Sequence, residues 1–196
     1  MSSLVIVDTG CANLASVGFA FERLDIAAQI TADPEVIKAA SHVVVPGVGA
    51  AAYAIKKLHA RGLVDVLKNL KQPVLGICLG MQLLYEKSQE GDTECLALIK
   101  GEVEEMQADQ FPLPHMGWNT LKNVADNPLL AGVTVGDYVY FVHSYAVPLS
   151  EATLAACDYG GEFSAVVNHG NIYGCQFHPE RSGVTGARIL QNFVGL

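Results

Sequence analysis

The segment Pro73-Val74-Leu75-Gly76-Ile77-Cys78-Leu79-Gly80-Met81-Gln82 decides the fold class, because it joins an apolar run directly to a stretch typical of a helix. Residues 73–77 form a short and almost wholly apolar run, which predicts a strand buried on both faces. The residues after the cysteine, through Lys87, predict a helix. A buried strand that turns sharply into a helix is typical of α/β proteins with parallel sheets.

The first 90 residues repeat this unit. Residues 4–7, 27–31 and 42–45 predict three further strands, and residues 13–24, the segment that begins at Asp33-Pro34, and residues 50–70 predict helices. This order predicts a mostly parallel sheet with helices on both faces. Residues 100–106, 115–124, 138–147, 152–157 and 162–177 instead predict strands separated by turns, before a last helix after Ser182. We therefore expect one α/β domain over residues 1–196, with additional antiparallel strands in its second half.

The composition narrows the function classes. The chain has 196 residues, of which 51% are apolar and 16% charged, which is typical of a globular domain with a real core. The net charge of −8 and the lack of a long Lys/Arg cluster argue against nucleic-acid binding. No apolar run approaches the length of a membrane span, and the first residues do not resemble a signal peptide. The five widely spaced cysteines are typical of free thiols, so we expect a cytoplasmic protein.

Cys78 is the first candidate functional residue. It lies at the predicted strand-to-helix turn, where unpaired backbone N–H groups favour a negative charge and make a thiol a better nucleophile. Gly76 and Gly80 allow a strained turn of the kind found in nucleophile elbows. The N–H group of Leu79 is then placed to help hold an oxyanion. The alternative is that Cys78 is a small buried apolar residue.

The base that such a nucleophile needs is best supplied by His178. His178 and Glu180 are expected to share a face because alternate residues of an extended segment point the same way. A carboxylate beside an imidazole sets its tautomer and stabilises the imidazolium. His42 and His59 are expected at the surface, and the other histidines have no orienting partner nearby in sequence. The alternative is a His-Pro turn with a surface glutamate.

Two motifs together resemble those of the class I glutamine amidotransferases: Gly76-Ile77-Cys78-Leu79-Gly80-Met81-Gln82 and Gln176-Phe177-His178-Pro179-Glu180-Arg181-Ser182. The resemblance covers nearly the whole chain and implies a flavodoxin-like α/β fold. It also implies hydrolysis of glutamine to glutamate and ammonia through a triad of Cys78, His178 and Glu180. Neither a cofactor nor a metal is implied, and no His/Cys/Asp cluster has the spacing of a metal site.

Further segments resemble the glutaminase subunits of imidazole glycerol phosphate synthases, namely Pro114-His115-Met116-Gly117-Trp118-Asn119, Pro46-Gly47-Val48-Gly49 and Tyr140-Phe141-Val142-His143-Ser144-Tyr145. This resemblance implies a heterodimer with a (β/α)₈-barrel cyclase, which uses the ammonia to form imidazole glycerol phosphate and aminoimidazole carboxamide ribotide in histidine biosynthesis. Amidotransferases of the anthranilate, aminodeoxychorismate and pyridoxal phosphate types remain alternatives, and Leu79 counts against the last. A free-standing cysteine hydrolase and a catalytically silent binding module are the remaining alternatives.

The resemblance also implies roles for single residues. It implies contacts to the glutamine or to its oxyanion by Val48, Gly49, Leu79, Gln82, Glu90, Ser144 and Tyr145. It implies contacts to the cyclase by Asn13, Trp118 and Arg181. Residues 46–52 also meet a loose dinucleotide-binding pattern, but they follow the third predicted strand rather than the first, so we give that interpretation little weight.

Overall fold

The computed structural model describes residues 3–107 and 111–196. Within these ranges the strands are β1 (Leu4–Val7), β2 (Ala28–Thr31), β3 (His42–Gly47), β4 (Val74–Cys78), β5 (Lys87–Ser88), β6 (Thr93–Glu94), β7 (Glu102–Glu105), β8 (His115–Thr120), β9 (Tyr138–His143), β10 (Tyr145–Ala146), β11 (Thr153–Asp158), β12 (Glu162–His169) and β13 (Ile172–Cys175). The α-helices are α1 (Leu14–Glu22), α2 (Pro34–Ala39), α3 (Ala51–Ala60), α4 (Val64–Lys68), α5 (Leu79–Gln82) and α6 (Gly183–Val194). Two 3₁₀ turns lie at Pro128–Leu130 and Pro179–Arg181.

The central sheet has seven strands in the order β11-β12-β13-β4-β3-β1-β2. The strands from β13 to β2 are parallel, and β12 and β11 are added antiparallel at one edge. A four-stranded sheet of order β10-β7-β5-β6 and the two-stranded β8–β9 ribbon complete the architecture. The expected fold class, a mostly parallel sheet with helices and additional antiparallel strands, is confirmed.

Both faces of the central sheet are covered, as its apolar strands require. Successive residues of β1 enter different cores, with Leu4 and Ile6 in one and Val5 and Val7 in the other. Helices α1 and α6 contribute their buried side chains to the first core, and α2, α3 and α4 contribute theirs to the second. The period of two along a strand therefore builds two separate cores from one continuous apolar run.

The predicted helix after Cys78 is much shorter than expected, because α5 ends at Gln82. The carbonyls of Leu83, Leu84 and Tyr85 do not continue the helix but accept N–H groups from the segment 96–99. Tyr85 is fully buried there. Hydrogen bonds to a later segment thus take the place of intrahelical ones. The local sequence does not reveal this, because the partner segment lies more than ten residues away.

The last helix, expected after Ser182, is α6, and one of its faces is buried. Val184, near the start of this helix, is 79% exposed. The buried face instead contains Gly186, Ile189, Leu190 and Phe193. A Cβ atom at Gly186 would lie 2.0 Å from the carbonyl oxygen of Pro179, so α6 packs backbone to backbone against that turn. This contact helps to decide which face of the helix is buried.

The packing of α5 against the sheet requires glycine at Gly80. A Cβ atom there would lie 1.8 Å from the carbonyl oxygen of Val45 in β3, and a Cβ atom at Gly76 would lie 2.7 Å from the backbone of Met81. No side chain fits either gap without a backbone shift. The glycines on both sides of Cys78 therefore allow the helix to start directly on the strands.

We predict that Gly80→Ala lowers the free energy of unfolding by at least about 2 kcal/mol, because the overpacking penalty exceeds the gain in helix propensity. The measurement is a urea titration of both proteins. Gly161→Ala is the matched control, since a Cβ atom there meets nothing within 4 Å. Equal stability of the two variants would contradict the packing argument.

Candidate active site

Cys78 occupies a strained turn at the end of β4. Its backbone has φ 53° and ψ −113°, a left-handed φ that is rare for a residue with a side chain. Its side chain is 6% exposed. Leu79 is the first residue of α5, so its N–H group has no acceptor within the helix. Because α5 has only four residues, the individual N–H groups count for more than a helix dipole at this site.

His178 and Glu180 form a hydrogen-bonded pair, with 2.8 Å between Nδ1 and Oε1. The Glu180 side chain is only 3% exposed. The segment is not extended as expected, because Pro179–Arg181 forms a 3₁₀ turn. The pair meets for a different reason: the N–H of His178 donates to the Tyr140 carbonyl at 2.9 Å, and the Ser182 hydroxyl donates to the His178 carbonyl at 2.7 Å.

The electrostatic environment favours the imidazolium form of His178. Burial by itself lowers the pKa of His178, but the hydrogen bonds and negative charges of Cys78 and Glu180 outweigh it and raise the pKa to about 10. Since Glu180 occupies Nδ1, the Nε2 atom is the one left for Cys78. The arrangement can therefore hold a proton beside the sulfur atom and deliver it to a leaving group.

These side chains open onto a pocket of about 290 Å³. Its lining includes each residue that the resemblance implied for the substrate and the oxyanion: Val48, Gly49, Leu79, Gln82, Glu90, Ser144 and Tyr145. Cys78 and His178 also line it, whereas Glu180 lies behind His178. A single cavity thus brings together residues from widely separated parts of the chain.

In residues 46–49, not every backbone N–H group is free to bind a ligand in the pocket. The N–H group of Val48 donates to the carbonyl of Cys11 at 2.8 Å, which occupies this donor. Gly49 has φ 93°, a conformation that glycine adopts at little steric cost. The loop therefore has a donor tied to a neighbouring segment and a residue at which the peptide can rotate.

Two polar side chains of the pocket are held by specific contacts. The amide nitrogen of Gln82 donates to the Tyr145 carbonyl at 2.8 Å and to Oε1 of Gln176 at 3.0 Å. Both of its hydrogens are then used, so the Gln82 oxygen is the atom available to a ligand. Oε2 of Glu90 accepts the N–H of Ala51 at 2.7 Å and caps α3. Gln82 is buried rather than exposed.

The residues expected at a partner interface lie outside this pocket. Asn13 is exposed, and its side chain accepts the N–H of Ser16 at 3.2 Å to cap α1. Arg181 is exposed, and Trp118 is 55% exposed. On the β8–β9 ribbon, Trp118 faces Tyr140, and the exposed Met116 lies two residues away on the same side. We call Met116, Trp118 and Tyr138 the ribbon patch, because all three are exposed on one face.

Two histidines beside the pocket form a pair that the sequence did not predict. His115 and His143 were given no partner, yet Nδ1 of His115 lies 3.1 Å from Nε2 of His143. Nδ1 of His143 donates to the Tyr145 carbonyl at 2.8 Å. They lie opposite each other on β8 and β9. Neither strand indicates its pairing register from its own sequence, so nothing local could have found the contact.

The prediction that His42 lies at the surface is wrong. His42 is buried, and its ring packs edge-on against Phe193 at 5.4 Å between centroids. Burial lowers its pKa. It begins β3, and α6 covers it, which is a tertiary contact with the other end of the chain. The prediction of exposure holds for His59.

Two negative findings concern the described residues. Within residues 3–107 and 111–196, no three or more His, Cys, Asp or Glu side chains converge in a way that can hold a metal ion. In the same ranges no helix has both the length and the apolar character needed to cross a membrane.

The chain is similar to known proteins over nearly its whole length. A family model for glutamine amidotransferase class-I matches residues 7–195. The chain is 51% identical to imidazole glycerol phosphate synthase subunit HisH 1 of Vibrio vulnificus, over 98% of each chain. It is 53% identical to the subunit HisH of Idiomarina loihiensis, over 99% of this chain and 98% of that one. A solved glutamine amidotransferase structure has the same fold, with a TM-score of 0.76 at 19% identity and 99% and 100% of the two chains covered.

The His115–His143 pair predicts a loss of stability in acid. Burial lowers the pKa of His115 to about 4, so between that value and its usual 6.5 the unfolded chain binds a proton that the folded chain does not. We expect the free energy of unfolding to fall as the pH drops through this window. His115→Gln should flatten the fall by up to about 1.4 kcal/mol per pH unit.

Urea titrations at several pH values measure this effect. His59→Gln, at an exposed position, is the control and should follow the parent protein. Parallel curves for His115→Gln and the parent would show that His115 is not held neutral by burial.

Proposed function

The chain belongs to the class I glutamine amidotransferases, and we propose that it is the glutaminase subunit of an imidazole glycerol phosphate synthase. The observation that carries the proposal is the pocket in which Cys78 and the hydrogen-bonded pair His178–Glu180 meet. Relatives at about half sequence identity over their full length, which are named as subunits of that synthase, support the choice within the family. In this proposal residues 1–196 form one glutaminase domain.

The proposed reaction uses the pocket residues in two stages. The Cys78 thiolate attacks the side-chain amide carbon of glutamine, and the N–H of Leu79 helps hold the resulting oxyanion. His178 gives its proton to the leaving nitrogen, so that ammonia departs and a thioester remains. His178 then takes a proton from water, the hydroxide adds to the thioester carbon, and the thiolate leaves as glutamate forms. Glu180 orients His178 throughout.

The remaining pocket residues suit the polar ends of glutamine. The carboxylate of Glu90 can meet the α-ammonium group, since only its Oε2 is used to cap α3. The free oxygen of Gln82 is an acceptor for the amide N–H groups of the substrate. The backbone of Ser144 and Tyr145 lies along the same wall and offers main-chain contacts. The proposed ligand therefore finds charge and hydrogen-bond partners of the right sign.

A cyclase partner is part of the proposal, and the expected heterodimer gives the ammonia a destination. The ribbon patch presents large apolar side chains of the types enriched at interface cores. Trp118 packs against Tyr140, whose carbonyl accepts the N–H of His178. Asn13, for which a cyclase contact is expected, lies two residues from Cys11, whose carbonyl holds the Val48 N–H. Partner contacts at the ribbon patch and at Asn13 would thus be close to His178 and to the Val48 N–H. Arg181, the third expected contact, directly follows Glu180.

We further propose that the isolated chain hydrolyses glutamine slowly. The Val48 N–H, a candidate oxyanion donor, is bound to Cys11 and is not free for the substrate. Rotation of the Gly47–Val48 peptide, which carries this N–H group, would release it toward Cys78. A missing oxyanion donor costs roughly 10²–10³ in rate, which is large enough for a switch.

Substitution of the triad tests the assigned roles. Cys78→Ala should reduce glutamine hydrolysis to background, whereas synthesis from added ammonia by the complex with the cyclase should persist. Glu180→Gln should keep measurable hydrolysis, because loss of an orienting group usually leaves more activity than loss of the nucleophile. Cys157→Ala, in β11, is the control with unchanged activity. Complete loss in both Cys78→Ala and Glu180→Gln, with folding intact, would contradict the division of roles.

Partner addition tests the switch. Glutamine hydrolysis should rise by roughly 10²–10³ when the cyclase and an analogue of its nucleotide substrate are both added to the chain. Trp118→Ala should require more cyclase for the same activation, because buried tryptophans dominate many interfaces. Phe19→Ala is the control, since this exposed residue lies beside β2, at the edge of the sheet opposite β11. Full-rate hydrolysis by the chain alone would favour a free-standing hydrolase.

A further inference from the structure

Gln176 lies between the nucleophile and a wall of the pocket. It follows β13 directly, and its side chain is 0% exposed. Its Oε1 accepts the amide N–H of Gln82 at 3.0 Å. Its Nε2 lies 3.9 Å from the sulfur atom of Cys78. The sequence places Gln176 two residues before His178, but no role follows from that position alone.

The orientation of the Gln176 amide is set by its neighbours. The Gln82 nitrogen also bonds the Tyr145 carbonyl at 2.8 Å, and a carbonyl oxygen only accepts, so this end of Gln82 must be the donor. Gln176 must then turn its oxygen toward Gln82 and its NH₂ group toward the sulfur. A flipped amide would place two NH₂ groups against each other.

The Tyr145 carbonyl, which sets the direction of these hydrogen bonds, is itself held by a second donor. It also accepts Nδ1–H of His143 at 2.8 Å, which leaves Nε2 of the neutral His143 ring as an acceptor. Nδ1 of His115 lies 3.1 Å from that atom and is therefore the donor. Asn119 approaches the other nitrogen of His115 at 3.4 Å. Each group in this series of hydrogen bonds is therefore either a donor or an acceptor without conflict. The series ends at the NH₂ group of Gln176, which points at the Cys78 sulfur.

We propose that Gln176 is a catalytic residue that donates a hydrogen bond to the Cys78 sulfur whenever it carries a negative charge. This inference rests on the proposed role of Cys78 as the nucleophile. As a thiol, Cys78 has an acceptor in the Val142 carbonyl at 3.7 Å. As a thiolate it has no proton to donate, and it needs N–H donors instead. Gln176 is already buried and oriented, so the bond costs no reorganisation at the moment of reaction.

Sulfur is negatively charged at two points of the proposed reaction. It is a thiolate before it attacks the amide carbon, and it becomes a thiolate again when the bond between sulfur and the acyl carbon breaks in the second stage. Donation by Gln176 stabilises both states, and His178 supplies the second contact to the sulfur. Hydrogen bonds to charged groups are stronger than those between neutral groups. Gln82 acts through Gln176 and is in this respect a positioning residue as well as a pocket residue.

The test is the pH dependence of alkylation of Cys78 by iodoacetamide in the full-length chain. In Gln176→Met, which keeps the length but removes the donor, the midpoint of the rate profile should move up by about one pH unit. The kcat for glutamine hydrolysis near neutral pH should fall about tenfold, and KM should change little. Gln72→Met is the matched control. Gln72 donates to the Ile37 carbonyl at 3.1 Å near the opposite end of β4, so its loss should leave the midpoint unchanged.

Peptide mapping separates the possible failures. Label on other cysteines with Cys78 left unlabelled, or no glutamine hydrolysis by the parent chain and its complex, would refute the proposed function. Label on Cys78 with the same midpoint in Gln176→Met and the parent would overturn the role of Gln176 alone. Cys95 and Cys157 should react slowly, because burial raises their pKa values to about 11 and about 12.

A measurement on the unchanged Gln176 covers the case in which Gln176→Met does not fold. In chain labelled with ¹⁵N at glutamine side chains, one buried amide signal should titrate with the midpoint of Cys78 alkylation. The same signal should stop titrating in Cys78→Ala. A signal that titrates identically in both proteins, or no titrating signal in the parent, would overturn the inference.

Discussion

The close approach of α5 to β3 and β4 is the constraint on which the rest of the structure depends. Gly80 lies so near the Val45 carbonyl that no side chain fits between them, and the strand before it must turn into the helix within one residue. That residue is Cys78, which takes a positive φ as a consequence. The strain is maintained because α5 packs against β3 and β4, and the residues just after it, 83–85, are hydrogen-bonded to the segment 96–99. Packing of a small helix thus decides where the sulfur atom points.

Around this turn, several polar side chains are buried, and hydrogen bonds offset much of the cost of removing them from water. Glu180 is almost fully covered, and its charge is matched by the imidazolium form of His178. Gln82 and Gln176 share one hydrogen bond, and the two histidines of β8 and β9 share another. These groups hold one another in single orientations. The site is therefore organised before a substrate enters, apart from the loop at residues 46–49.

That loop is the exception, and its position explains why a partner matters in the proposed function. The Val48 N–H is bonded to the segment that precedes α1, and α1 begins at a cap for which a cyclase contact is expected. The ribbon patch lies on β8 and β9, and the Tyr140 carbonyl of β9 accepts the N–H of His178. In the proposed function, a rigid triad with one displaced oxyanion donor is an arrangement that a docking surface can complete. The proposed role of Gln176 is different in kind, since it operates within the chain and needs no partner.

By itself, the sequence determined the type of each principal element and the candidate triad. Continuous apolar runs predicted the parallel strands, because a strand buried on both faces has no position for a polar residue. A cysteine between two glycines indicated a strained turn. Only the tertiary structure decided that α5 stops at Gln82, that His42 is buried under α6, and that Gln176 reaches the sulfur of Cys78. The physical reason is the range of the interactions. The periodicity of a strand or helix depends on residues that are neighbours in sequence, whereas these contacts join residues far apart in the chain. They exist only once the order and register of the sheet have placed β13 beside β4 and β8 beside β9.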